Sequence, residues 1–75
     1  MKKYTFILDC VDHEACMLIR SKMRDENFDE FETLHNDFGG DHKATKLFTS
    51  RKASQLAAKK LFADNKKNIH QIAVE

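Results

Sequence analysis

Phe28-Asp29-Glu30-Phe31-Glu32-Thr33-Leu34-His35-Asn36-Asp37-Phe38 is the stretch on which the fold turns. Read as a strand, it sets Phe31, Thr33 and His35 on one side and Glu30, Glu32 and Leu34 on the other, the period-2 division of a half-buried strand. Read as a helix, Phe28, Phe31, Leu34 and Phe38 make a stripe at i, i+3, i+6 and i+10, with Gly39 as the C-terminal cap. The strand is favoured. A helix stop precedes it at Asn27, and Gly39-Gly40, the two glycines of the whole chain, follow it as a turn signal.

Working outward, Tyr4-Thr5-Phe6-Ile7-Leu8 is a short apolar, aromatic and β-branched run that suits a strand buried on at least one face. Asp12 then caps a helix, with Glu14 in its first turn where negative charge suits the dipole. Ala15, Ile19 and Met23 recur at i, i+4 and i+8 with Cys16 beside them, and form its inward stripe. Asn27 tolerates the left-handed conformation that ends a helix, and Phe28 folds back on the last turn.

Downstream, Thr45-Lys46-Leu47-Phe48-Thr49 reads as a strand, and Ser50 caps a helix running from Arg51 to Asp64. Its Ala, Leu, Lys and Gln content favours a helix. Ala53, Leu56, Ala57 and Leu61 are its expected inward stripe, and Lys52, Lys59 and Lys60 lie off it. Asn65 stops the helix. Ile69 to Val74 closes the chain as a strand in which His70, Ile72 and Val74 alternate against Ile69, Gln71 and Ala73. The expected fold is therefore α+β, a ferredoxin-like split β-α-β-β-α-β sandwich with an antiparallel four-stranded sheet and two helices on one face. Were residues 28–38 helical, the chain would instead hold a three-stranded sheet and three helices.

Seventy-five residues, 41% hydrophobic and 33% charged, form one domain, 1–75, too apolar for a disordered chain. Burial and ordering entropy nearly cancel at this size, which gives a stability of about 3–5 kcal/mol and makes homodimerisation an attractive supplement. No apolar run approaches the roughly 20 residues of a membrane span. Tyr4 to Leu8 is also too short for the apolar region of a leader, so a cytoplasmic protein without membrane contact is expected. The two cysteines agree with that compartment.

Charge is uneven along the chain. Residues 1–38 hold five Lys/Arg against nine Asp/Glu, and residues 39–75 hold eight against three. The basic half could contact phosphates through Lys43, Lys46, Arg51, Lys52, Lys59 and Lys60. The expected topology is shared with the RNA-binding RRM, whose open sheet face stacks bases on aromatic residues. Tyr4 or Phe6 could serve in that way. The third strand, His42-Lys43-Ala44-Thr45-Lys46-Leu47-Phe48, supplies one aromatic where that family has two, so the likeness is one of topology. The acidic residues Asp25, Glu26, Asp29, Glu30, Glu32 and Asp37 do not follow the calcium-loop spacing. They read first as a solvated edge strand guarded by its charges and second as a negative surface for a basic partner.

Cys10, His13 and Cys16 stand at a strand-to-helix junction with the spacing C-x2-H-x2-C, and both ligand types suit a soft metal. Small metal-chaperone domains of this topology bind copper at that junction through Met-Thr-Cys-x-x-Cys. This chain has Leu8-Asp9-Cys10-Val11-Asp12-His13 instead, and the cysteines read as small core residues. No metal site and no cofactor is expected. A thiol nucleophile would need a base, but His13, His35, His42 and His70 are scattered and no oxyanion-hole motif exists. An enzyme is not expected.

The sheet face turned away from the helices completes the reading. If Tyr4, Phe6 and Leu8 point at the helices, Thr5 and Ile7 lie on the open face, with Phe48 or Ile69 as further candidates for exposure. An apolar patch of that kind marks a protein interface. The leading expectation is a small non-enzymatic interaction module, a regulator or inhibitor that docks onto a protein partner through Ile7, Phe48, Glu30 and Glu32, with a homodimer as one form of it. A nucleic-acid-binding module using the basic half is the second reading. In style the chain is similar to the small accessory proteins of large bacteriophages, a likeness of composition that rests on no motif.

Overall fold

A computed structural model of the chain describes residues 1–36 and 39–75, with side chains described outside 34–41. The elements run β1 (Lys2–Cys10), α1 (His13–Asp25), β2 (Asp29–Asn36), β3 (Gly39–Phe48), α2 (Arg51–Asp64) and β4 (Ile69–Val74). The deciding stretch is a strand over Asp29–Asn36, and the fold is the expected α+β arrangement. One antiparallel sheet has the order β2-β3-β1-β4, so β1 and β3 are central and β2 and β4 are the edges.

The helix ends follow from local chemistry. Asp12 is extended and its side chain accepts the Ala15 N–H at 2.8 Å. At the other end Asn27 takes φ 71°, the Phe28 N–H reaches the Met23 carbonyl at 3.0 Å, and the Asn27 N–H reaches that of Arg24 at 3.2 Å. Those two bonds are the Schellman closure, and they turn Phe28 into the core. Ser50 caps α2 through the Ala53 N–H at 3.1 Å.

In β1, buried Tyr4, Phe6, Leu8 and Cys10 alternate with half-buried Thr5, Ile7 and Asp9, which places the helices on the first set's side. Ala15, Cys16, Ile19 and Met23 of α1 meet them, as expected of that stripe. Four aromatic rings gather in the same layer. Phe6 and Phe48 stack at 5.6 Å and 7°, and Phe28 and Tyr4 approach edge-on or tilted. No helix among the described residues is long and apolar enough to cross a membrane.

Several expectations need correction. The expected inward stripe of α2 included Leu56, yet Leu56 is 57% exposed, and the buried residues are Ser54, Ala58 and Leu61, with Ala53 and Ala57 half-buried. Ser54 is fully buried and its hydroxyl donates to the Arg51 carbonyl at 2.6 Å, so a small satisfied residue lets the helix approach the sheet. Gly39 and Gly40 are not a turn outside the strands: they pair with Asn36 and His35 as the first rungs of β3. Asp37 and Phe38 lie outside the described residues. So do the side chains of Leu34 and His35, and with them part of the alternation expected there.

Both edge strands carry a bulge that a period-2 reading does not contain. In β2, Asp29 pairs with Thr45 and Glu32 with Lys43, so Glu30 and Phe31 share the space opposite Ala44. In β4, Gln71 pairs with Asp9 and Ile69 with Cys10, which leaves His70 as the extra residue. Ile69 is thereby moved onto the helix side with Ile72 and Val74, rather than opposite to them as strict alternation required.

Candidate functional site

The open face of the sheet is built by the residues that alternate with the core positions. Across the four strands Ala73, Ile7, Lys43 and Glu32 form one row, and Thr5, Thr45 and Asp29 another, with Lys3 and Leu47 beside it. Ile7 is half-buried between its neighbours, and Leu47 is 49% exposed. The face sets Ile7, Ala73 and Leu47 among polar and charged neighbours, with Lys3, Asp9 and Lys43 on the central strands and Asp29, Glu30 and Glu32 at the β2 edge. Ile7, Glu30 and Glu32 fall on or beside it. Phe48 does not: it is buried on the helix side, stacked on Phe6, because it pairs with Lys2 in the other phase of the pleat. Ile69, the other candidate for exposure, is likewise buried.

At the acidic end the geometry is specific. Lys3 Nζ lies 2.8 Å from Glu30 Oε1, and the Thr45 hydroxyl lies 2.9 Å from Glu30 Oε2 and 3.1 Å from Asp29 Oδ1. The hydrogen bond from Lys3, that from Thr45 and the ammonium charge together hold the Glu30 carboxyl below its usual range, while the bond to Glu30 raises Lys3. Glu30 sits at φ 53°, a left-handed conformation unfavourable for a residue with a Cβ, and its side chain is tied down across two strands. Phe31 points the other way, under the guanidinium groups of Arg20 (5.0 Å) and Arg24 (5.4 Å).

The basic residues do not converge. Lys43 is on the open face, whereas Lys46 lies on the helix side with its ammonium over the Phe28 and Phe48 rings at 5.3 and 5.4 Å. Arg51 stands 5.7 Å over the Tyr4 ring. Lys52, Lys59 and Lys60 are exposed on α2. Tyr4 and Phe6, which could have stacked bases, belong to the helix-side core, and among the described side chains no aromatic lies on the open face.

Cys10 and Cys16 are buried, free thiols that hydrogen-bond to one another across the β1–α1 junction. Burial, the Cys16 contact and the charges of Asp9 and Asp12 push the Cys10 thiol far up, and burial also raises Cys16. That is the opposite of an activated nucleophile. His13 is exposed, and among the described residues no three His, Cys, Asp or Glu gather as a metal would require. His42 is buried on the helix side, with its Nδ1 3.5 Å from the Thr33 hydroxyl, and His70 is exposed at the β4 bulge. The His35 side chain is outside the described set.

Two features were not anticipated from the sequence. Asn65 was read only as a helix stop, yet it is buried and joins three elements. Its amide donates to the Leu61 carbonyl and accepts from Lys22 Nζ, both at 2.8 Å, and its own carbonyl receives the Asn68 and Ile69 N–H groups. The second is a groove of about 660 Å³ between α2 and β4, walled by Ala58, Phe62, Ile72 and Val74, with Lys59 and His70 on its rim. Once Leu56 is taken for the inward residue, Phe62 has no assigned place, and only the true helix phase turns it toward β4. Compared with family models, curated proteins and solved structures, the chain matches none.

Proposed function

We propose that this chain is a non-enzymatic interaction module, a regulator or inhibitor that docks onto a protein partner through the open sheet face, and that a second copy of itself is among its partners. The observation that carries the reading is the row Ala73-Ile7-Lys43-Glu32 with neighbouring Leu47. It is a pleated surface uncovered by either helix, running from Ala73 and Ile7 through Lys43 to the acidic β2 edge. Such a surface supports docking onto a partner with an apolar patch beside basic residues. Charge at the rim orients the encounter, and burial around Ile7 supplies the affinity.

Nucleic-acid binding has less support. Its six basic residues are divided between the two sides of the sheet, two of them sit over aromatic rings, and the open face lacks a stacking platform among its described side chains.

The test is affinity capture from cell extract, with nuclease treatment, using the wild-type chain and two variants that keep the fold by circular dichroism. A nuclease-resistant protein that is retained by wild type and by Lys59→Glu/Lys60→Glu, and lost with Ile7→Arg, is the result expected. Capture abolished by nuclease, or untouched by Ile7→Arg, would overturn docking through this face.

A further inference from the structure

We infer that the free edge of β4 is a strand-addition site whose occupant is β4 of a second copy, paired antiparallel about Ala73 so that the two sheets become one of eight strands. This deepens the self-association part of the proposal above and rests on it, but it uses a different surface from the Ile7 face.

The direction of the backbone groups follows from the β1–β4 ladder. Thr5 and Glu75 exchange both of their bonds at 2.8 Å, so theirs is a hydrogen-bonded pair. Alternation then makes Phe6–Val74 and Leu8–Ile72 non-hydrogen-bonded pairs. The N–H and C=O groups of Ile72 and Val74 therefore point away from β1, to a side where the described sheet has no further strand. Such groups are the template for adding another strand.

The side chains say which strand. Ile69–Val74 carries no Asp, Glu, Lys, Arg or Pro, so pairing it with itself opposes no like charges. Centring on Ala73 keeps the junction clear of the bulge at His70. It sets Ile72 against Val74 of the second copy, with four hydrogen bonds, and leaves two small Ala73 side chains facing each other on the open face. The two-fold axis then stands perpendicular to the sheet, so both α2 helices lie on one side. The apolar groove of each copy (Phe62, Ile72, Val74, Ala58) faces that of the other and is filled by the same residues. The opposite edge cannot do this, because self-pairing of β2 would oppose Asp29, Glu30 and Glu32 across a bulge. Lys59, at the groove rim, is long enough to turn its ammonium to water in a dimer.

Sedimentation velocity over a wide concentration range tests the inference. The wild-type chain is expected to show a reversible monomer–dimer equilibrium. Val74→Pro removes one outward N–H per copy without touching the ladder to β1, and should weaken the dimer roughly thirtyfold at about 1 kcal/mol for each lost bond. Ala73→Lys, at an exposed position, should weaken it by opposing like charges, and guards against a folding defect in the proline variant. Ala73→Cys should give a covalent dimer under mild oxidation, whereas the wild-type chain, with both thiols buried, should not. A dimer indifferent to Val74→Pro and Ala73→Lys, with no cross-link at position 73, overturns the β4 junction and leaves self-association standing. A strictly monomeric chain overturns both and leaves docking onto a different protein to the capture experiment.

Discussion

The two edges of this sheet face the same hazard and meet it differently. β2 is acidic, bulged at Glu30-Phe31, and held on both sides: Lys3 and Thr45 hold Glu30 on one, Arg20 and Arg24 cover Phe31 on the other. β4 is uncharged from Ile69 to Val74 and has an apolar groove behind it. An edge whose bulge carries charge resists pairing, and an uncharged edge whose bulge is confined to its start, at His70, invites it. The contrast explains why the charge asymmetry of the chain has a structural side. The acidic residues guard one edge, and the basic ones leave the other edge's backbone uncovered.

The contrast can be broken from several directions. The largest effect should come from Asn65, whose hydrogen bonds tie the start of β4 to both helices. Asn65→Ala should cost about 2 kcal/mol, seen in urea unfolding, because it leaves a buried carbonyl and Lys22 without partners. Hydrogen exchange should rise more in β4 than in β2. Phe31→Ala should cost about 1–2 kcal/mol through lost burial and lost cation–π contact, with the rise in exchange confined to β2.

Removing the guard without loosening the strand is a subtler change. Glu30→Asn/Glu32→Val, with an asparagine that tolerates the left-handed backbone at position 30, should leave the unfolding midpoint nearly unchanged and give the chain a second adhesive edge. With β4 already adhesive, light scattering should then report assemblies larger than a dimer. The smallest effect concerns pH. The Glu30 carboxyl is held below its unfolded value, so its contribution is present above about pH 4.3 and is lost as pH falls through the folded value. Glu30→Gln should flatten that acid limb of the stability curve slightly, and Lys3→Met should do the same.

Docking onto another protein through Ile7 and pairing through β4 meet at Ala73, which lies in the open-face row and at the centre of the inferred junction. A dimer would therefore double the open face into one continuous surface. A regulator built this way would present two copies of its Ile7 patch to a symmetric partner.

Local chemistry made much of the fold readable. Ser50 and Asn65 bracket α2 because a hydroxyl satisfies its first free N–H groups and no apolar periodicity continues beyond Asp64. Asp12 and Asn27-Phe28 bracket α1 for the same kind of reason. The period-2 contrast of Phe31 and Thr33 with Glu30 and Glu32 distinguishes strand from helix at the deciding stretch, since those carboxylates have no place on a buried face. Ile7 falls on the open face once Tyr4, Phe6 and Leu8 are in the core.

Other features depend on which surfaces meet. Choosing Leu56 over Ser54 as the buried residue of α2 follows hydropathy, but close approach of helix to sheet selects a small residue, and no local signal reports that distance. The bulges at Glu30 and His70 arise from fitting edge strands to a twisted sheet, and the one at His70 moves Ile69 to the helix side, off the phase that alternation assigns. Phe48 looks available in the sequence and is buried because its partner in β1 is Lys2 rather than Lys3, a matter of register. The sequence by itself thus determined the six elements, their order along the chain and the ends of the two helices, since caps and periodicity act within a few residues. Only the tertiary structure decided which face of α2 is inward, where the edges are guarded and which edge stays open, since those depend on contacts between residues far apart in the chain.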